Sequence, residues 1–217
     1  MGKTIVANLP TYIYIDGSNI RLACRKGCGF ELDFKKLYDY FCTKYPNLIN
    51  VQYFEGISIG DTKKEAIFNN YRNYGYEVIP LSRKSYTTPA KYKSFQCSDC
   101  GKVNRVKTAD SVLVMKSNID VLLCSRVMAD VAKCDTPSHF VIVSCDGDYA
   151  EMICQILSDS PDVYVSVLST PYQKNNNYLS IRYKDLIKLQ HFSLLNILTI
   201  PSKFLPPNAP KVMQNKK

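Results

Sequence analysis

The segment YIYIDGSN at residues 12–19 decides the fold, and FVIVSCDGD at residues 140–148 repeats its pattern. In both, an apolar run without internal charge ends in an aspartate followed by a glycine. Such runs are typical of buried strands in a parallel sheet, and ligands of α/β proteins bind just beyond the carboxyl ends of such strands. The sequence therefore predicts that Asp16, Asp146 and Asp148 line one crevice.

Three carboxylates in one crevice would repel one another, so a hard divalent cation is expected among them. The simpler alternative is that each Asp-Gly pair only marks a turn. Turn chemistry alone does not explain why both pairs stand at the end of a buried strand. We therefore expect a metal-dependent active site.

Strand and helix patterns alternate along the chain, which predicts a three-layer α/β/α sandwich with a mainly parallel central sheet. The predicted strands are 12–15, 48–54, 76–81, 139–145 and 163–168, and the predicted helices are 34–45, 61–74, 118–133, 149–157 and 184–198. Asp33 is the expected N-cap of the first of these helices, and Gly75 the expected end of the second.

The 217 residues, 46% of them hydrophobic, suit one domain over residues 1–200 and a disordered basic tail over residues 201–217, with four prolines and four lysines. No run approaches the roughly 18 apolar residues of a membrane span, and the first 15 residues lack the order of a signal peptide. The nine cysteines are odd in number, and several lie in apolar runs. We expect a reducing, cytoplasmic location and no membrane partner.

An insertion at about residues 83–110 interrupts the alternation and carries most of its charge as lysine and arginine. With the formal charge of +9, it favours a polyanionic partner. Its aromatic residues could stack on unpaired bases, which predicts single-stranded RNA. The expected RNA-binding residues here are Lys91, Lys93, Lys102 and Arg105. The alternative is that the insertion is only a solvated surface segment. The sequence does not determine the oligomeric state, and a homodimer is possible.

Cys97 and Cys100 have the spacing of half a structural zinc site, which needs four ligands. Cys24 and Cys28, in a glycine-rich loop after the first acidic turn, are the best candidates for the other half. A four-cysteine site would hold the insertion beside the crevice. Two alternatives stay open: the C-x-x-C pair could be a redox pair or two reduced thiols, and Cys24 could be a buried helix residue.

Asp120 lies in the first turn of the predicted helix 118–133, where the helix dipole favours an anion. It could be no more than a favourable N-terminal charge. If that helix begins at the crevice, Asp120 joins the other carboxylates, and Lys116 is placed to orient a phosphate.

The order of three motifs resembles the NYN domain of the LabA-like group, within the PIN-like nuclease superfold. They are IDGSN at 15–19, K-x-x-x-D-V at 116–121 and S-x-DGD with an aromatic at 144–149, and the resemblance covers about residues 10–190. It implies a metal-dependent ribonuclease with Mg²⁺ or Mn²⁺. The roles implied are metal ligands for Asp16 and Asp146, a second-site ligand for Asp120, a ligand or water-orienting group for Asp148, and polar support for Asn19. The insertion with Cys97 and Cys100 is similar to one in some bacterial relatives.

One position departs from the family pattern. Six residues after Asp120 the family usually has a second Asp, but here the residue is Arg126, with Asp130 one turn farther on. A cation there would weaken a second metal site or hold a substrate phosphate. This leaves a catalytically weakened RNA-binding module as the alternative. A phosphatase of the haloacid-dehalogenase kind fits poorly, since its nucleophile strand comes first in the chain.

Overall fold

A computed structural model describes residue 6 and residues 8–171 and 182–210 of the chain. The strands are β1 (Thr11–Asp16), β2 (Leu48–Ile57), β3 (Glu77–Ser82), β4 (Lys84–Thr88), β5 (Lys91–Gln96), β6 (Val103–Ala109), β7 (Val112–Lys116), β8 (Ser138–Val143), β9 (Val163–Ser169) and β10 (Phe192–Asn196). The helices are α1 (Gly17–Ala23), α2 (Phe34–Lys44), α3 (Thr62–Tyr74), α4 (Ile119–Val131), α5 (Ala150–Asp159) and α6 (Arg182–Leu186).

Six strands form one sheet in the order β10-β9-β8-β1-β2-β3, and every pair in it is parallel. The chain runs from β1 outward to β3 and then returns to place β8 on the other side of β1. The order of the strands therefore reverses between β1 and β8. In open α/β sheets this reversal opens a crevice at the carboxyl ends of the two strands, where ligands bind.

Helices cover both faces of the sheet, which confirms the predicted three-layer architecture. One core packs α1, α2 and α3 against side chains such as Ile13 and Ile15 of β1. The other packs α4, α5 and α6 against Tyr14 of the same strand. Successive residues of β1 point to opposite faces, so its uninterrupted apolar run serves both cores.

Local signals fix the ends of the first long helices as the sequence predicts. The Asp33 side chain accepts a hydrogen bond from the Lys36 N–H at the start of α2, and Asp61 does the same for Lys64 at the start of α3. Gly75 ends α3 with a φ of 109°, a left-handed conformation that favours glycine.

The C-terminal part differs from the prediction of one helix over residues 184–198. Helix α6 ends at Leu186, His191 has a φ of 65°, and β10 then pairs with β9 at the edge of the sheet. The apolar residues in this segment fit either a helix or a strand, and the free edge of β9 decides in favour of the strand.

The first ten residues of the predicted disordered tail are ordered. Residues 202–204 form a 3₁₀ turn, Leu205 is buried, and the Lys36 ammonium donates to the Leu205 carbonyl at 3.3 Å. Apolar contacts of Phe204 and Leu205 with the core outweigh the local prolines here. Residues 211–217 lie outside the described residues.

The insertion is a ribbon of two antiparallel strand pairs, in which β4 pairs with β7 and β5 with β6. We call residues 84–116 the arm. Nearly every arm residue is exposed, and the main contacts of its strands are with each other. At about 3.3 Å per residue, its 13 or so residues on each side give a length of about 40 Å.

Among the described residues, we find no helix with the length and apolar character needed to cross a bilayer.

Candidate active site

Four aspartates lie where the order of the strands reverses. Asp16 is the last residue of β1, and Asp146 and Asp148 follow β8, the strand beside it. Asp120 lies in the first turn of α4, which packs against β1 and β2. Asp16, Asp146 and Asp148 therefore follow neighbouring strands at the same edge of the sheet, and one crevice shared by all four aspartates stays a prediction.

Asp16 is the most buried of these carboxylates, with 5% of the residue exposed. Its Oδ1 accepts the backbone N–H of Asn19 at 3.0 Å, and its Oδ2 accepts the hydroxyl of Tyr149 at 3.0 Å. Burial raises the pKa of Asp16 to about 6; these hydrogen bonds oppose the rise, and the charges of Asp120 and Asp146 add to it. A cation beside this carboxylate would favour its ionised form and lower its pKa.

Asp120 also lies near other carboxylates. Its pKa is raised first by burial and then by Asp146 and Asp148. Asp148 is exposed, and one of its oxygens lies 3.6 Å from Arg182 Nη1. The charge of Asp146 thus acts on both Asp16 and Asp120, which links the turn after β8 to the end of β1 and to the start of α4.

This donor set suits a hard divalent cation. No group of three or more His, Cys, Asp or Glu side chains in the described part of the chain forms a ready cage for a metal ion. Mg²⁺ does not need one, because it usually binds through one or two carboxylates and keeps several waters. The site therefore fits a hydrated Mg²⁺ or Mn²⁺ better than a fully enclosed ion.

Asn19 acts by linking two elements. Its backbone N–H holds Asp16, and its side-chain oxygen accepts the Cys145 N–H at 2.8 Å. These bonds connect the start of α1 to the turn after β8. A side chain without an acceptor oxygen at this position would lose the bond to the Cys145 N–H.

Asp146 caps the short 3₁₀ turn that carries Asp148. Its side chain accepts the Asp148 N–H at 3.1 Å, and its own N–H donates to Ser144 Oγ at 3.1 Å. The Tyr183 hydroxyl of α6 donates to the Asp146 carbonyl. The turn is thus held by its own side chains and by a helix some 35 residues later in the chain.

Two tyrosines at the site, Tyr149 and Tyr183, were not among the predicted site residues. Tyr149 is the aromatic residue after the DGD motif, and its position gave a usable signal for a role beside the aspartates. Tyr183 gave none, because its contact with Asp146 depends on how α6 packs. Both side chains are buried.

The glycine of the first Asp-Gly pair has a packing role. A Cβ on Gly17 would lie 2.1 Å from the ring of Tyr53, which is fully buried. The Tyr53 hydroxyl in turn donates to Glu55, a buried carboxylate that also contacts Arg21 of α1 and Lys64 of α3. This network fixes α1, the helix that presents Asn19.

Arg126 is exposed on α4, and its predicted role at the site stays a prediction. Six residues along a helix turn the side chain by about 240° and move it by about 9 Å. Between the side of α4 with Asp120 and the side with Arg126 run the buried residues Leu123 and Val127. Asp130 also faces away from the cluster, because it accepts the Tyr14 hydroxyl at 2.9 Å.

The predicted RNA-binding lysines and arginine lie on the arm. Arg105 stacks on the ring of Tyr92 at 4.5 Å, on the same face of the β5–β6 pair. The exposed side chains are those of Lys91, Lys93, Lys102 and Arg105. They lie outside the acidic cluster and would contact a substrate beyond its scissile bond.

Lys116 ends the arm four residues before Asp120 and lies directly opposite Lys84. Like charges in such a pair are unfavourable unless an anion joins them. The root of the arm is anchored to β2, because the Arg83 N–H donates to the Ile57 carbonyl at 2.8 Å. Ser117 also packs closely against β2: a Cβ on Gly56 would lie only 2.2 Å from its Oγ.

The four cysteines of the predicted zinc site do not come together. Cys24 and Cys28 begin and end a short π-helix and are buried in the core against α2. Cys97 and Cys100 lie in the turn between β5 and β6, at the tip of the arm. The predicted four-cysteine site is therefore wrong in its ligand set, and the structure places Cys24 in the core, which was the alternative for that residue.

Comparisons with known proteins identify the fold and the family. The NYN domain model matches residues 10–187. A solved structure of a protein of unknown function from Vibrio parahaemolyticus is similar with a TM-score of 0.60 and 17% identity, over 95% of this chain and 99% of the other. Escherichia coli phosphofructokinase-2 with potassium reaches a TM-score of only 0.31 at 11% identity, over 64% and 41% of the two chains, and carries no argument. No curated protein gives a significant match.

Proposed function

The chain belongs to the NYN domain family, a group of nuclease-related domains, and on that premise we propose that it is a metal-dependent ribonuclease. The observation that carries the proposal is the convergence of four aspartates at the point where the strand order reverses. A site that only bound RNA would have little use for carboxylates, which repel phosphates. A cation between carboxylates and phosphate removes that conflict.

Asp16 and Asp146 are the residues that would hold Mg²⁺ or Mn²⁺. Such an ion, when bound, polarises the scissile phosphate and makes a water more acidic. Asn19 and Tyr149 keep the Asp16 carboxylate in one orientation through their hydrogen bonds. Fixed donors of this kind avoid the cost of reorganising the site during the reaction.

Asp120 and Asp148 are the candidates for orienting the attacking water. Their carboxylates can accept its proton, and the raised pKa of Asp120 favours proton uptake by that residue. The nearby Asp148 contacts Arg182, which limits its freedom. Neither histidine competes for this role: His139 is buried at the opposite end of β8 with its pKa lowered to about 3, and His191 follows α6.

The arm supplies the proposed substrate specificity. Residues 84–116 contain seven lysines and arginines but only two aspartates. Exposed rings at Tyr86, Tyr92 and Phe95 alternate with these charges. Such a surface suits a single-stranded RNA, whose unpaired bases can stack on the rings while its phosphates meet the cations.

Cleavage of a labelled single-stranded RNA by the purified protein tests the proposal. We expect products with Mg²⁺ or Mn²⁺ and none with excess EDTA, because the carboxylates cannot bind the phosphate without a cation. The RNA should stay bound to the arm in both cases. Binding without cleavage under all of these metal conditions would contradict the nuclease and support the RNA-binding module.

A further inference from the structure

The turn at the tip of the arm, residues 97–102, has the geometry of a metal-binding knuckle. The Cys97 N–H donates to the Lys102 carbonyl at 2.8 Å, and the Gly101 N–H donates to the Cys97 carbonyl at 2.9 Å. Gly101 has a φ of 69°, which a residue with a Cβ rarely adopts. The Gln96 side chain braces the turn by donating to the Gly101 carbonyl at 2.9 Å. These bonds hold Cys97 and Cys100 on one turn.

The turn also favours the thiolate form of its first cysteine. The backbone N–H groups of Cys100 and Asp99, followed by the Cys100 side chain, lower the pKa of Cys97. The thiolate is the form that binds metal ions. Cys24, by contrast, is buried in the core, and burial is the main reason that its pKa is raised well above the usual value. A metal ion from solvent can reach Cys97 and Cys100 at the tip, whereas Cys24 and Cys28 are both buried in the core.

The tip alone is only half of a zinc site. Structural zinc takes four ligands in a tetrahedron, and thiolates are favoured among them. No third His, Cys, Asp or Glu joins the pair among the residues that the structure describes. The turn is at the end of an exposed ribbon and neither Cys97 nor Cys100 is buried, so the thiols are accessible to the same turn of a second chain.

We propose that Cys97 and Cys100 of two copies of this chain bind one Zn²⁺ ion and join the arms tip to tip. A two-fold axis through the ion gives each copy the same two bonds, as a symmetric dimer requires. The four thiols lose their protons to solvent, and the centre carries a net charge of −2. That charge offsets part of the repulsion between two basic arms. The proposal does not depend on the nuclease activity.

Zinc content and mass, measured on the same sample, test this arrangement. The full chain is purified under reducing conditions without chelator, supplied with ZnCl₂, freed of excess metal and examined by light scattering. We expect one zinc per two chains and a mass twice the 24.7 kDa of one chain. Removal of the zinc with a strong chelator should return the protein to monomers, since no other contact is required.

Variants locate the site. The double variant C97S/C100S should lose both the zinc and the dimer, whereas C42S, which changes an exposed thiol on α2, should keep both. The tip is remote from both cores, so circular dichroism should find the fold of C97S/C100S unchanged. A monomer with one zinc per chain, a protein without zinc, a disulfide between Cys97 and Cys100 in place of the metal, or a dimer that survives chelation would each overturn the proposal.

Discussion

We expect the double substitution D16N/D146N to abolish the proposed metal-dependent cleavage of single-stranded RNA while leaving the fold intact. Both asparagines keep the size of the aspartates but remove the charges that would bind the cation. Electrostatic stabilisation by such an ion is worth several kcal/mol, and each 1.36 kcal/mol corresponds to a tenfold change in rate. We therefore expect a loss of at least roughly a thousandfold, measured by gel electrophoresis of labelled RNA.

The same variant is more stable than the natural chain in metal-free buffer at pH 8. The folded state raises the pKa of Asp16 to about 6 from 3.8, so the folded protein binds more protons than the unfolded one between these values. Ionised Asp16 therefore costs stability, and this cost appears as the pH rises from about 4 to about 6. We expect the advantage of D16N/D146N to be about 1–3 kcal/mol at pH 8 and to shrink toward pH 4 in urea denaturation.

A matched control separates the site from charge in general. Asp162 is exposed just before β9, at the opposite end of the sheet from Asp146, so D162N should cleave RNA and unfold like the natural chain. Cleavage by D16N/D146N at the natural rate would place the chemistry elsewhere or in a contaminant. A loss of activity in D162N would mean that removal of any carboxylate, and not of these two in particular, lowers the cleavage rate.

Neutralising the arm weakens RNA binding without destabilising the sheet. The variant K91Q/K93Q/K102Q/R105Q removes four cations and the stack of Arg105 on Tyr92. For a single strand, each lost phosphate contact lowers the slope of log K against log salt by about 0.7, so up to about 3 is expected in total. We expect the Kd to rise at least about tenfold at low salt. The free energy of unfolding should stay constant, because the arm strands mainly contact each other.

A control with the same change in net charge keeps this test specific. Lys35, Lys133, Lys188 and Lys203 are exposed and lie outside the arm, so their combined replacement by glutamine should affect RNA binding much less. Fluorescence anisotropy over a series of salt concentrations gives both the Kd and the slope. Equal losses in the two variants would mean that net charge, and not the arm, attracts the RNA.

The sequence predicts the sheet, and the positions of Asp16 and Asp146 at the ends of its strands, because both depend on local patterns. Strands β1 and β8 are apolar runs that lead to Asp-Gly pairs, and this pattern locates Asp16 and Asp146 without any knowledge of long-range contacts. Helical capping likewise identifies Asp33 and the start of α2. Local patterns suffice here because burial on both faces leaves little freedom in a parallel sheet.

The arm could not be predicted as strands. Its residues 91–96 and 103–109 are exposed on both faces, so they lack the alternation of apolar and polar side chains that marks a half-buried strand. Only their mutual pairing defines them, and pairing is not visible in composition. This ribbon places Cys97 at its tip, away from Cys24 in the core. Because the sequence did not reveal the ribbon, the spacing of the cysteines suggested a four-cysteine zinc site that the structure does not form.

For Arg126 the sequence did contain usable information, namely its spacing from Asp120 along the helix. Its six-residue separation from Asp120 corresponds to about 240° of helical rotation, which places the two on different sides of α4. Comparison with a family pattern alone suggested a displaced metal. The segment after α6 was ambiguous for another reason: only the free edge of β9 distinguishes strand β10 from a continued helix.

Crystals grown with Mn²⁺ and measured for anomalous scattering test the central claim most directly. We predict an anomalous peak within bonding distance of carboxylate oxygens of both Asp16 and Asp146, and no such peak in crystals of D16N/D146N. Proximity to both residues is the decisive feature, because a surface ion would meet only one. A protein that cleaves RNA in Mn²⁺ but shows no ion between these two aspartates at saturating metal would contradict the account.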